Sequence, residues 1–526
     1  MSWYLGLDSS TQSISAVIVD VAAGRLVEDA SVSFSELPEF KCPNGFLAGD
    51  DPLVRHADPL VWLAGLDRLL QGLVDRGIDL SKVVAVSGSG QQHGTVYLTA
   101  GFLKPRAWVW AGDLVGTVRP MLARPTAPIW MDSSTSEECR EITAAAGGVA
   151  PVQKTTGSPA IERFSGPQIR RFWKRDPDGY RRTAVIHLVS SFMASVLAGR
   201  SAPIDLGDGA GMNLLNLGTG AWDPGMINAT APDLAARLPP VVPSHTEVGP
   251  IAEYFVRRYG FARGTRVVAW SGDNPNSLIG VGGYAPGTAV ISLGTSHTYF
   301  AAMRRPTVDP AGYGHVFGNP AGGFMSLICF KNGALAQEEV RRRHQLSWKQ
   351  FDDCLRRTPP GNAGNMMLPY FVAETTPLVL TPGVVFTGSE TFRAGGDADA
   401  MVRAVVEAQA YRMRLHSSWI ADRTDAVRVT GGASVSREVC QVLADVFNAR
   451  LERLETENSA GLGAALRAAQ ATGAGEWQRL TDAFCRPVAG QSVSPLAANV
   501  EVYRRQLPAF EAFARQGRGG QSLPHA

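Results

Sequence analysis

The sequence predicts an α/β protein built as two halves, and three observations carry that reading. Two strand–turn–strand units with hydroxyl-rich tips recur, one at residues 3–20 and one at 289–302. Apolar runs at 83–88, 266–272 and 427–430 have the length and glycine punctuation of buried strands, and amphipathic helical stretches lie between them. At 526 residues the chain exceeds one ordinary domain, so two large ones are expected.

Residues 3–8 (WYLGLD) form the first strand, Ser9 to Ser13 a polar turn, and 14–20 (ISAVIVD) the second strand. Between 59 and 76, Leu60, Leu63, Leu66, Leu69, Leu70 and Leu73 fall at helical spacing. VVAVSG at 83–88 is then a buried strand, as is RVVAWSG at 266–272. Asp273-Asn274-Pro275 opens a helix, with Asn274 as its cap and Pro275 at its first position. YAPGT (284–288) breaks the pattern and marks the expected boundary between a first domain, 1–285, and a second, 286–515. Beyond it AVISL (289–293), Gly294-Thr295-Ser296 and HTYFAA (297–302) repeat the opening hairpin. Residues 401–420 read as a helix, and VRVT (427–430) as a strand running into Gly431-Gly432-Ala433-Ser434. Val439, Val442, Leu443, Val446 and Phe447 then share one helical face. The halves read as an imperfect internal duplication. The tail, 516–526, is rich in Gly, Ser and Pro and reads as disordered.

Charge and composition narrow the function. Fifty basic residues stand against 48 acidic ones, a balance that argues against a nucleic-acid or membrane-surface partner. The six cysteines are scattered without a CxxC pair, so reduced thiols in the cytosol are expected. MSWYLGLDSS lacks the basic and apolar stretches of a signal peptide, and no run approaches 18 apolar residues. The expected location is the cytoplasm. A homodimer is compatible with the sequence.

Hairpin tips rich in Ser, Thr and Gly present backbone N–H groups and hydroxyls, which together suit a phosphate. Two such tips, holding Thr11 in the first and Gly294 with Thr295 in the second, suit one nucleotide phosphate chain. The alternative is a pair of ordinary turns. Other nucleotide signatures fail: GxxxxGK[ST] is absent, and Gly88-Ser89-Gly90 has the wrong spacing and runs into a strand-like TVYL. No HExxH occurs.

The hairpins, VSGSGQQHG (86–94), WMDSSTSEEC (130–139), GDGAGMNLL (207–215), SGDNP (271–275), SLGTS (292–296) and TGGAS followed by LADVFN (443–448) together resemble the FGGY family of carbohydrate kinases. QQHG, WMDSS and ERF (162–164) resemble its D-xylulose-phosphorylating, animal-like branch. The resemblance runs in order from about residue 3 to about 470. It implies two actin-like ATPase (ribonuclease-H-like) domains with a cleft between them, Mg²⁺-ATP as phosphoryl donor and D-xylulose as acceptor. It also implies that His93, Arg163, Asp273 and Asn274 contact the sugar. Gly432, Ala433 and Ser436 would then lie near the nucleotide, with Trp348 beside the adenosine. Asp8 would hold Mg²⁺, through water. The family's first phosphate loop reads Asp-x-Gly-Thr, and here Ser10 takes the place of the glycine.

Each of these residues has a plainer reading. Asp273 is expected as the base that takes the sugar hydroxyl's proton, kept ionised by a helix N-terminus. Its alternative is helix capping. His93 could be structural, Arg163 could serve a surface ion pair, Asp8 could close an Asx-turn, and Trp348 could be core. Rival functions are a kinase for another ketose or polyol, and a sugar-sensing protein on the same fold.

Overall fold

In the first hairpin, alternate residues point to opposite faces, and both faces are apolar. The computed structural model places Leu5, Leu7, Ile14, Ala16 and Ile18 in one core, together with Leu63, Leu66 and Leu70 of the helix Leu60–Asp75. Tyr4, Val17 and Val19 enter a second core with Ile279, Leu466 and Ala469. A strand buried on both faces needs this continuous apolar run. Each fully buried leucine contributes about 2 kcal/mol. The structure describes residues 2–104, 112–420, 422–456 and 458–517.

The described chain divides into two units, Met1–Tyr284 with Val316–Met325 and Glu457–Cys485, and Ala285–His315 with Ser326–Thr456 and Arg486–Ala526. The first unit's sheet runs, edge to edge, Glu247–Pro250, Arg266–Val268, Val83–Gly90, Trp3–Ser9, Ser13–Asp20 and Arg25–Ser33, with the short strand Ser271–Gly272 also on Val83–Gly90. Trp3–Ser9, Arg266–Val268 and Ser271–Gly272 all run parallel to Val83–Gly90. The register pairs Asp8 with Ser89, and Ser271 with the same Ser89. Three parallel strands therefore end side by side, the usual place for a ligand on such a sheet. A largely helical segment carries its own core, in which Tyr97, Ile142, Ile169 and Met212 are buried.

The second sheet repeats the order. Thr288–Leu293 pairs antiparallel with His297–Met303 and parallel with Ala426–Thr430, which is followed by Arg450–Arg453 and the edge strand Ser492–Val493. Phe324–Phe330 flanks the hairpin, with His315–Gly318 beyond it. The helix expected over 401–420 is Ala398–His416. Of the tail expected as disordered, Gln516 ends the helix Ala497–Gln516, and residues 518–526 lie outside the described residues.

The sequence reading placed all of 286–515 in one continuous second domain, whereas 316–325 and 457–485 group with the first unit. Small residues explain the second return. The helix Ser459–Ala471 lies so close to Trp3–Ser9 and to the helix Asp273–Gly280 that a Cβ on Gly463 would sit 1.9 Å from the Asn276 carbonyl oxygen. Only glycine fits there. From that helix Arg467, 2% exposed, donates to the carbonyls of Gly88, Ala269 and Ser244. All six cysteines are free. Among the described residues no helix is long and apolar enough to cross a membrane.

Candidate active site

In the first unit Asp8, His93, Asp273 and Asn274 stand at or just beyond the strand ends described above, and Arg163 just before the helix Ser165–Arg175; Asp8 acts on Asp273, and Arg163 on His93. Asp8 closes the first strand; its neighbour Ser10 donates a hydrogen bond to Asp8 Oδ2. Ser10 is not in a left-handed conformation, so serine fits at this position without strain, and its hydroxyl folds back onto the carboxylate. Burial raises the Asp8 pKa, and the Ser10 and Ser89 hydroxyls partly offset that. Asp8 Oδ1 is buried without a partner. Thr11, at the tip, accepts from the half-exposed Trp130 through Nε1 at 2.8 Å.

Asp273 begins the helix Asp273–Gly280 directly after Gly272. The sequence expectation of Asn274 as cap and Pro275 at the first position is corrected here. Gly272 is the N-cap, Asp273 stands first, and Pro275 comes third, where an absent N–H still costs nothing. Glycine is required at 272, because a Cβ there would lie 2.5 Å from Gln92 Cγ and 2.9 Å from Asp208 Oδ1. Asp273 Oδ1 accepts from Asn274 N at 2.8 Å and from Asn274 Nδ2 at 3.0 Å. The N–H groups at the helix start do favour the ionised Asp273, as expected, but they are outweighed. Burial, and next the negative Asp8, push its pKa up to about 7, outweighing the backbone N–H groups of Asn274 and Gln92.

His93 is buried and held in a left-handed conformation, φ 72°. Its ring stacks on Phe164 at 4.2 Å, and Nδ1 lies 2.8 Å from the Gly211 carbonyl. Burial and the nearby Arg163 cation lower its pKa to about 3, so the ring is neutral. Nδ1 then carries the proton donated to Gly211, and Nε2 is an acceptor. Arg163 is half-buried, with its guanidinium 5.7 Å from the Phe164 ring centre.

The second unit assembles the other expected residues. Gly294 and Thr295 form the turn between Thr288–Leu293 and His297–Met303, and Thr295 is exposed. The next parallel strand, Ala426–Thr430, is followed by Gly431, which lies against the Leu293 backbone, and then by Gly432 and Ala433. Ser436 caps the helix Arg437–Phe447 by accepting from Val439 N and donates to Asp352 Oδ1 at 2.6 Å. Asp352 belongs to the helix Trp348–Arg357, which Trp348 opens, 50% exposed and 5.2 Å from the Arg341 guanidinium. Trp348 is therefore not core.

Sequence reasoning gave no role to Ser89, Gln92, Trp130 or Asp208. Gln92 and Asp208 stand inside quoted motifs, QQHG and GDGAG, and Trp130 opens WMDSS, but only the strand register reveals that Ser89 meets Asp8. Among the described residues no group of three or more His, Cys, Asp or Glu side chains is arranged around a metal position.

Family models match residues 125–280 as the N-terminal domain, and 289–472 as the C-terminal domain, of the FGGY family of carbohydrate kinases. The chain is 37% identical over 520 residues to the xylulose kinase of Rattus norvegicus, covering 96% of this chain and 95% of that one. It is 38% identical over 487 residues to xylulose kinase 2 of Arabidopsis thaliana, covering 89% and 87%. The fold matches the crystal structure of xylulose kinase from Rhodospirillum rubrum with a TM-score of 0.82 at 20% identity, over 98% of both chains. It matches Plasmodium falciparum glycerol kinase with ADP with a TM-score of 0.79 at 16% identity, over 99% of both. Two α/β units with repeated sheet order are consistent with the actin-like ATPase fold. The chain belongs to the FGGY family of carbohydrate kinases.

Proposed function

We propose that this protein transfers the γ-phosphate of ATP to the terminal hydroxyl of D-xylulose, giving D-xylulose 5-phosphate and ADP. The observation that carries the proposal is the Asp273 carboxylate, poised near pH 7 beside Asp8. The near full-length similarity to two proteins named as xylulose kinases supports the choice of sugar.

A sugar hydroxyl is a weak nucleophile, and a carboxylate with a pKa close to the working pH is a suitable acceptor for its proton. As the hydroxyl oxygen forms its bond to the γ-phosphorus, the bond from phosphorus to the ADP oxygen breaks and the proton passes to Asp273. Asn274 orients the sugar beside that carboxylate. Neutral His93 offers Nε2 to a hydroxyl, and Arg163 donates to the sugar's oxygens. Thr11, Gly294 and Thr295 are assigned to the phosphate chain through hydroxyls and backbone N–H groups. Gly432, Ala433 and Ser436 are assigned to the nucleoside, and Trp348 offers it an exposed ring.

Mg²⁺ fits the first hairpin, because a buried carboxylate oxygen with no partner, Asp8 Oδ1, suits a cation that takes few protein ligands and keeps its waters. Asp8 would hold it, and the ion would supply positive charge against the phosphoryl oxygens.

An ADP-release assay across ketoses and polyols tests the proposal. The highest kcat/KM is expected with D-xylulose, because a site built to bond a given hydroxyl can reject a sugar lacking it by roughly 10⁴. Glycerol or L-ribulose outperforming D-xylulose would overturn the sugar assignment.

A further inference from the structure

Asp208 is a fully buried carboxyl group that the mechanism above does not use. It lies on the short helix Leu206–Gly209, and its Oδ2 is 2.5 Å from the Ser190 hydroxyl. Its other oxygen, Oδ1, is buried without a partner, and so is the Gln92 amide nitrogen. Both converge on one point. A Cβ on Gly272, the residue before Asp273, would be 2.8 Å from Gln92 Nε2 and 2.9 Å from Asp208 Oδ1. The other end of the Gln92 amide, Oε1, accepts from Asn274 Nδ2 at 2.7 Å, and that same nitrogen donates to Asp273.

We propose that Asp208 is a positioning residue: by presenting an acceptor to the Gln92 amide, it fixes the orientation of Asn274 and, through it, of the Asp273 carboxyl. This rests on the reading of Asp273 as the base. The orientation follows from donors and acceptors alone. A reversed Gln92 would turn its oxygen toward the Asp208 oxygen and its nitrogen toward the Asn274 nitrogen. Reversing Asn274 as well would set its oxygen against Asp273 Oδ1. Each reversal creates like-for-like contacts in a buried site, where unmade hydrogen bonds are costly. Only one arrangement faces a donor with an acceptor at both ends, and it leaves the Asn274 oxygen to accept from a sugar hydroxyl.

The charged groups that interact with Asp208 are Asp205, Asp273 and Arg467. Burial first, and then the two acids, raise the Asp208 pKa well above the usual carboxylate value. The Ser190 hydroxyl donates to Asp208 Oδ2, and Oδ1 is left as the acceptor facing Gln92. Asparagine keeps an oxygen toward Gln92 and turns its nitrogen toward the Ser190 hydroxyl, which can accept as well as donate.

The test compares Asp208→Asn, Asp208→Ala and Gln92→Leu in the full-length protein. Two readouts are taken: kcat with D-xylulose, and the Asp273 carboxyl titration followed by ¹³C NMR without substrates. Asp208→Asn is expected to keep kcat and the Asp273 pKa. Asp208→Ala and Gln92→Leu are expected to lower kcat by ~10²-fold, the scale of a misplaced reacting group, with KM for ATP unchanged. In both, the Asp273 pKa rises as the Asn274 donor is lost. If Asp208→Ala does not fold, Gln92→Leu carries the same expectation. Wild-type kcat and pKa in Asp208→Ala and Gln92→Leu would overturn the proposal, and so would an Asp208→Asn as impaired as either. A wild-type protein inactive on every sugar would instead sink the reading of the reaction, while the NMR titration still decides the positioning role.

Discussion

The two hairpins occupy the same place in two sheets of the same order, yet they carry opposite chemistry. In the first, the strand Trp3–Ser9 carries Asp8 next to its end, buried, bonded to Ser10 and near enough to Asp273 to shift its proton affinity. In the second, the strand ends in Leu293, and the turn exposes Thr295 and Ser296 without any acid. Buried carboxylates are costly unless paired, so one unit concentrates its unfavourable electrostatics at the expected sugar site. The other keeps neutral, solvated donors of the kind that suit phosphates. On the function proposed above, a duplicated scaffold is divided between proton chemistry and nucleotide binding.

Removing the base should expose this division most strongly. Asp273→Ala is expected to lower phosphoryl transfer by ~10²–10⁴-fold, the usual contribution of a general base, while ATP binding barely changes. Single-turnover kinetics with D-xylulose, beside a nucleotide titration, check both halves. The same carboxyl has a stability signature. Its pKa rises from 3.8 to about 7 on folding, so the folded state binds the extra proton between those values. Stability therefore falls as pH climbs from about 4 to about 7. Calorimetry should show Asp273→Asn gaining in Tm over wild type across that window and holding the gain above it. A variant with lower Tm and normal kcat would mark Asp273 as a structural group.

In the second unit the effects should be smaller and confined to the nucleotide. Trp348→Ala is expected to raise KM for ATP by ~2- to 10-fold, the worth of an aromatic stacking contact, with kcat for D-xylulose retained. A loss in kcat instead would blur the division. The smallest effect belongs to Ser10→Gly, which removes a donor from Asp8. The Asp8 pKa should rise, because Ser10 holds it down. The Mg²⁺ concentration for half-maximal rate should increase by less than ~10-fold, the scale of one hydrogen bond to a charged group at the weaker end.

Much of this was legible in the sequence because it follows from local pattern. The alternation in 3–20 and 289–302, and the leucine spacing in 59–76, set strands and a helix within a residue or two of their observed ends. The return of Ser459–Ala471 to the first unit was not legible, since small residues at helical spacing do not name the surface they meet. The helix start at Asp273 was misread for a related reason. Asn-Pro is a good local capping signal, but the crowding of Gln92 and Asp208 against Gly272 comes from residues far away in sequence. The raised pKa of Asp273 was hidden as well, because it depends on Asp8, which the strand register brings near.

The central claim is that burial and Asp8 poise Asp273 as the proton acceptor, and the pH dependence of kcat/KM for D-xylulose tests it most directly. That ratio reports ionisations of the free enzyme. The account predicts an acidic limb with its midpoint near pH 7 in the wild type. Asp8→Asn should move that limb downward, because the negative charge that raises Asp273 is gone. A profile that stays flat from pH 5 to 8, or a limb that Asp8→Asn leaves in place, would contradict it.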